Sequence, residues 1–210
     1  MEKPYVKSLK TFKGLKVYLV DDAYIRNKMD VAFTDFGQHY TNKYIPKGEI
    51  WIGETQKKSE IPFFVREAYK KYTHYGKNKT SNNTRGIRKK QSEEKVRISL
   101  LGNHKGLKIY LVNGLAVRAN HNTDYTLGGH GRVYDYIPEN EIWLEKLEKH
   151  PGDELFNLVH EIHEWNLMGN ENLSYEKAHK SANEVEGKVR HNPKMLDSVL
   201  RREFSKIRIR

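Results

Sequence analysis

No cysteine occurs among the 210 residues. Disulfides and thiolate chemistry are thereby excluded, and any metal must be held by His, Asp or Glu. Eighteen consecutive apolar residues occur nowhere, and the opening MEKPYVKSLK lacks the apolar centre of a secretory leader. These gaps set the expectation of a cytoplasmic protein in a reducing compartment, neither exported nor membrane-spanning. An acidic surplus is also missing: 38 Lys and Arg stand against 27 Asp and Glu, a net charge of +11. A chain of this length makes one large domain or two small ones, and either can bury a usable core.

What is present, first, is an internal repeat. Shifting Gly14–Trp51 by 92 positions lays it on Gly106–Trp143 without a gap, with 15 of 38 residues identical. GLKVYLV matches GLKIYLV at one end, and Tyr-Ile-Pro followed by Glu-Ile-Trp recurs at the other. A shift of 94 sets Val65-Arg66-Glu67 on Val159-His160-Glu161. Within each unit the pattern predicts a strand (Leu107 to Val112), an Asn113-Gly114 hairpin turn, a second strand (Leu115 to Ala119), a Gly-rich loop and a strand near Glu141 to Glu145. Helices follow. Strands first and helices after imply an α+β fold: a tandem duplicated unit of small antiparallel sheet plus helices, the second copy ending in a metal-binding helical pair.

That pair is read from LFNLVHEIHEWNLMGNENLSYEKAHKSANEVE, Leu155 to Glu186. A first helix over 153–168 carries Leu155, Leu158, Ile162 and Trp165 as one apolar stripe, and Gly169 marks its end. Ser174 is the expected N-cap of a second helix, whose stripe is Tyr175, Ala178, Ala182, Val185 and Val189. His160 and Glu164, four residues apart, project from one face a turn apart and can chelate one cation. A short Gly/Asn connection makes the helices antiparallel, so His160 and Glu164 face His179 and Glu186. The ligand set is three or four residues: His160, His179 and one or both of Glu164 and Glu186. The loop Gly128-Gly129-His130-Gly131 presents His130 as a further candidate ligand, or is an ordinary turn with an exposed histidine. The alternative for the helices is a solvated charged hairpin.

The residues His160-Glu161-Ile162-His163-Glu164 resemble the helix motif of zincin metallopeptidases, in which two histidines bind zinc and the intervening glutamate is the general base. By that resemblance Glu161 is the catalytic residue, and His179 or Glu186 takes the role of the downstream third ligand. Glu164 stands where the family has its second histidine, which shifts the preference somewhat toward harder metals, so zinc is expected first and Mn or Fe next. His163 faces elsewhere on the helix. In the first copy Arg66, Lys70 and Gln38 replace His160, Glu164 and His130, so that copy holds no cation in the equivalent place.

Charge divides unevenly. Residues 1–97 hold 22 basic and 11 acidic residues, and residues 98–210 hold 16 of each. The expected organisation is a basic, degenerate first copy (1–75), a flexible basic linker (76–97), and a second copy (98–210) with the metal site and a basic C-terminal tail. Lys77, Lys79, Arg85, Arg88, Lys89 and Lys90 are candidates for contacting nucleic acid or another polyanion, with Tyr69, Tyr72 and Tyr75 nearby to stack on bases. Two function classes follow. One is a metal-dependent hydrolase; the other is a nucleic-acid-binding protein with a duplicated basic module and a structural or absent metal.

Overall fold

The computed structural model describes residues 3–76, 96–122, 125–147 and 150–209. The chain divides into two compact units, Met1–Arg85 and Gly86–Arg210, a boundary that falls inside the basic stretch 76–97. Among the described residues no helix is long and apolar enough to cross a membrane.

Each unit opens with a hairpin: β1 (Tyr5–Ser8) with β2 (Lys16–Val20), and β5 (Arg97–His104) with β6 (Leu107–Val112). The turns Lys13-Gly14 and Lys105-Gly106 have positive φ at both central positions, as a type I′ turn requires. Unit 1 continues through helix α1 (Asp22–Lys28), β3 (Phe36–Gln38), β4 (Glu49–Gly53) and α2 (Ile61–Gly76). Unit 2 continues through α3 (Gly114–Asn120), β7 (Gly128–His130), β8 (Glu141–Glu145), α4 (Glu154–Asn170), α5 (Tyr175–His191) and α6 (Leu196–Ser205). The sheets have orders β1-β2-β4-β3 and β5-β6-β8-β7. Their central pairs are parallel, with Lys16 opposite Glu49 and Lys108 opposite Glu141, and their outer pairs antiparallel. The α+β duplication is thus present.

The sheets, however, are mixed rather than antiparallel, and the reason lies at Asn113-Gly114. This dipeptide does not turn a hairpin, and Leu115 to Ala119 is not a strand. Asn113 caps α3 instead, its side chain accepting from the Ala116 N–H at 3.2 Å, as Asp21 caps α1 through Tyr24 at 2.7 Å. Parallel neighbours need a crossover, and the capped helix forms part of it.

Alternation along the strands builds two cores in unit 2. Leu107, Ile109, Ile142 and Leu144 pack under Leu158, Val159, Ile162 and Trp165 of α4, with Val189, Val199 and Leu200 from the last two helices. Val112 and Trp143 point to the other face and meet Val117, Tyr125 and Ile137. Unit 1 repeats this arrangement with α2 alone over Val17, Ile50 and Ile52. Two stripe members differ from expectation. Leu155 and Tyr175 are exposed, since each lies in the first turn of its helix, beyond the reach of the sheet.

Side chains show the kinship further than identity does. Trp51 Nε1 donates to Glu49 at 2.9 Å and Trp143 Nε1 to Glu141 at 2.8 Å. Tyr5 bonds Glu49, and at the equivalent position Arg97 makes a forked pair with Glu141. Most telling is the buried arginine of the first helix. Arg26 pairs with Asp22 at 3.0 Å, and Arg118 pairs with Glu145 at 2.8 Å. Position 22 corresponds to Gly114, and position 145 to Gly53. The carboxylate has changed element, and a glycine faces it in both copies: a Cβ on Gly53 would lie 3.1 Å from Asp22, and one on Gly114 would overlap Glu145. Removing one partner of a buried ion pair leaves an uncompensated charge and costs roughly 3–5 kcal/mol. Glu145→Gly is therefore expected to lower stability by about that amount in denaturant unfolding, and adding Gly114→Asp to recover more than half of it. Failure of the second change to recover any stability would contradict the exchange.

Candidate metal centre

The α4 and α5 helices lie antiparallel, because contacts running up α4 from Asp153 to Glu164 meet α5 running down from Arg190 to His179. Their long mutual contact has a physical cause. Leu158, Val159, Ile162 and Trp165 bury one face of α4 on the sheet, and Ala178 and Ala182, fully buried, let α5 come close. Ser174 occupies the N-cap position of α5 in extended conformation without a capping hydrogen bond from its side chain. The α4 helix does not stop at Gly169 but runs to Asn170. Gly169 is needed for another reason: Arg132 lays its guanidinium 3.6 Å from the Trp165 ring centroid and bonds the Trp165 carbonyl, and a Cβ on Gly169 would overlap it.

Three donors converge between the helices. His160 Nε2 lies 3.1 Å from His179 Nδ1, His179 Nδ1 lies 2.8 Å from Glu164 Oε2, and His160 Nε2 lies 3.6 Å from the same oxygen. Ligand atoms about 2.0–2.1 Å from a tetrahedral cation are separated by roughly 3.3 Å, and the three edges bracket that length. His160 and Glu164 are buried, whereas the His179 side chain is 38% exposed, which leaves a way in from solvent. The Tyr175 ring lies 5.2 Å from that of His179 on the same side.

Two further expected ligands take different places. Glu186 does not join the three donors: its Oε2 lies 3.0 Å from His160 Nδ1, on the opposite side of the ring. A carboxylate there accepts the Nδ1 proton and leaves the Nε2 lone pair for a cation. His130 belongs to strand β7, not to a loop. Gly128 and Gly129 sit in that strand because α4 and Tyr134 come close; a Cβ on Gly128 would stand 2.7 Å from Glu161 Oε1. His130 Nε2 reaches Glu164 Oε1 at 3.0 Å, and its Nδ1 accepts from the Arg132 N–H at 3.3 Å. With Nδ1 accepting, the proton is on Nε2, so His130 donates to Glu164 and orients it.

Charge in the site follows from burial against pairing. Burial alone would raise the Glu164 pKa, but hydrogen bonds from His130, His160 and His179 hold it well below the usual carboxylate range. Burial likewise opposes charge on His160, yet Glu164 and Glu186 push its pKa up to about 10. Burial lowers that of His130. Glu161 is half-buried beside Gly128, and no hydrogen bond or ion pair from a described residue reaches its carboxylate. Burial, reinforced by Glu164 and Glu186, pushes its pKa up to about 8. Although Tyr175 is 42% exposed, the cover over the rest of its side chain, with the Glu164 carboxylate beside it, pushes its phenol up to about 12.

The first copy lacks these groups in place. Gln38 is buried at the His130 position and accepts from the Tyr40 N–H, while Arg66 and Lys70 are exposed. Lys77, Lys79, Arg85, Arg88, Lys89 and Lys90 lie outside the described residues. Comparison with protein-family models, curated proteins and solved structures returns no match. The geometry alone therefore carries the reading.

His163 does face away from the cluster. Its Nε2 meets Ser181 Oγ at 3.0 Å and its Nδ1 lies 3.2 Å from Glu203, which also holds Lys206 and accepts from Asn166. This network ties α4 to both following helices, and nothing in the local sequence marks it. Burial would raise the Glu203 pKa, but His163 and Lys206 lower it from 4.5 to about 2. A carboxylate depressed in the folded state contributes stability above its unfolded pKa and loses it as pH falls through the folded one. Glu203→Gln is expected to destabilise by about 1–3 kcal/mol at pH 7. That deficit should shrink between pH 4.5 and 2 in thermal melts; a deficit unchanged down to pH 2 would contradict the assignment.

Proposed function

We propose that unit 2 is a metal-dependent hydrolase of the zinc-metallopeptidase-like kind, with Glu161 as the general base. The observation that carries this reading is the convergence of His160 Nε2, His179 Nδ1 and Glu164 Oε2 beside a Glu161 carboxylate that no hydrogen bond or ion pair from a described residue reaches. His160, Glu164 and His179 are the residues that would hold a divalent cation. Two imidazole nitrogens favour zinc, and the carboxylate also admits Mn or Fe. A cation so held supplies Lewis acidity and makes water acidic near neutral pH.

The protein groups divide the remaining work. Glu161, which accepts no hydrogen bond from the described residues, can accept one from water and take its proton as the water attacks a carbonyl or phosphoryl centre. A cation at the neighbouring ligands would lower the raised pKa of Glu161 and favour the ionised form that accepts a proton. His130 keeps Glu164 turned so that Oε2 faces the two imidazoles. Tyr175 stays a neutral phenol beside His179, at the exposed side where substrate would arrive. A peptide substrate is what the zincin resemblance implies.

Base and ligand roles separate in mutants. The full chain should carry about one cation, and Glu161→Gln should keep it, together with the fold, while turnover falls roughly a hundredfold or more. His160→Ala combined with His179→Ala should lose both cation and activity. The assay is hydrolysis of casein-type peptides, nucleic acids and phosphodiesters, paired with elemental analysis. An unchanged rate in Glu161→Gln on a substrate the wild type cleaves would remove that residue from its role.

A further inference from the structure

Both oxygens of Glu186 are engaged, and they face different parts of the molecule. Oε2 meets His160 Nδ1 at 3.0 Å, and Oε1 accepts from Arg190 Nε at 2.7 Å. The Arg190 side chain is fully buried. Its Nη1 donates to Asp153 Oδ1 at 2.8 Å, its Nη2 to Asn157 Oδ1 at 2.9 Å, and its guanidinium carbon lies 4.9 Å from the Phe156 ring centroid. An exposed Glu–Arg pair four residues apart on a helix contributes only tenths of a kcal/mol. Here the same spacing is turned into the helix interface, where a buried guanidinium is tolerated only if its donors are met in one plane. Asp153 is drawn from its own capping role to meet one of them: it stands at the N-cap of α4 and makes no capping bond. Three residues at the start of α4 thus fix one arginine of α5, and the fourth partner, Glu186, passes that constraint to His160.

We propose that Arg190 is a positioning residue for the metal centre: anchored on Asp153 and Asn157, it pins the Glu186 carboxylate against His160 Nδ1 and so turns the His160 Nε2 lone pair toward the cation. The proposal rests on the reading of the site given above. Neither Arg190 nor Glu186 touches the cation. With Glu186 unpinned, the His160 ring loses both its tautomer preference and its orientation. Lysine cannot replace the arginine, because an ammonium is a point charge that does not span three acceptors at fixed angles.

The test is cobalt(II) binding to the full chain, measured by competition with a chromogenic chelator, for the wild type, Arg190→Lys and Glu186→Gln, each checked for folding by thermal melting. Both variants are expected to bind cobalt about 10–100-fold more weakly, the scale for losing a group behind a ligand. Their visible cobalt bands should change in intensity, which a general loss of stability would not cause. If Arg190→Lys does not fold, Glu186→Gln decides alone, since its single amide oxygen can accept from only one of Arg190 and His160 while the shape of the side chain is kept. A folded variant with wild-type affinity and wild-type spectrum overturns the positioning role while leaving the site intact. A wild-type chain that takes up no cobalt overturns the site, and the positioning role with it.

Discussion

The arrangement of unit 2 depends on one carboxylate withdrawn from water. Glu164 is 2% exposed on a helix that packs its apolar face against the sheet. An ionised group there is tolerated only when several donors surround it. They come from three elements: His160 from its own helix, His179 from α5 and His130 from the edge strand. The strand must come near enough for His130 to reach, which is why glycines precede it, and α5 must come near enough for His179, which is why alanines line it. A helix pair and a strand are drawn together around a single charge. The side chains that satisfy this charge are also those that suit a cation.

Much of this was legible in sequence because it rests on periodicity and on repetition. The three- and four-residue spacing of Leu158, Ile162 and Trp165 and of Ala178, Ala182 and Val189 set the two faces, and the antiparallel pairing of His160 with His179 followed from the short connection. The 92-residue repeat located both sheets. Other features rest on forces that local pattern does not carry. Asn113-Gly114 suits a hairpin turn and equally suits a helix start, and only the demand of parallel strands for a crossover decides between them. The first strand of each unit lies outside the repeated residues, and Tyr5 and Arg97, different in chemistry, meet equivalent glutamates, Glu49 and Glu141. Helical spacing puts Glu186 on the face of the ligands, but it does not say which nitrogen of the His160 imidazole the carboxylate meets. Arg190, Asp153 and Asn157 carry no signal of their role for a related reason: polar residues near helix ends ordinarily face solvent, and here the facing helix covers them.

The two units show how a duplicated scaffold diverges. The buried arginine of the first helix is present in both, but its carboxylate moved from Asp22 on the helix to Glu145 on the strand, and a glycine faces it each time. Sheet, turn and capped helix are common ground. The differences accumulate on the opposite face, where, among the described residues, unit 1 carries one helix with Arg66 and Lys70 exposed and unit 2 carries three helices with buried histidines and carboxylates. One copy thus keeps the fold without the cluster, as expected if the sheet holds the unit together and the helices carry the chemistry.

X-ray absorption on the zinc-loaded full chain would count the ligands around the cation, because imidazole rings leave a distinct scattering signature. The account requires two imidazoles and one carboxylate oxygen from the protein at bond lengths of about 2.0–2.2 Å. Three imidazoles would mean that His130 is a ligand rather than the donor that orients Glu164. A shell of oxygens without imidazole would place the cation away from His160 and His179 altogether, and the account would fail.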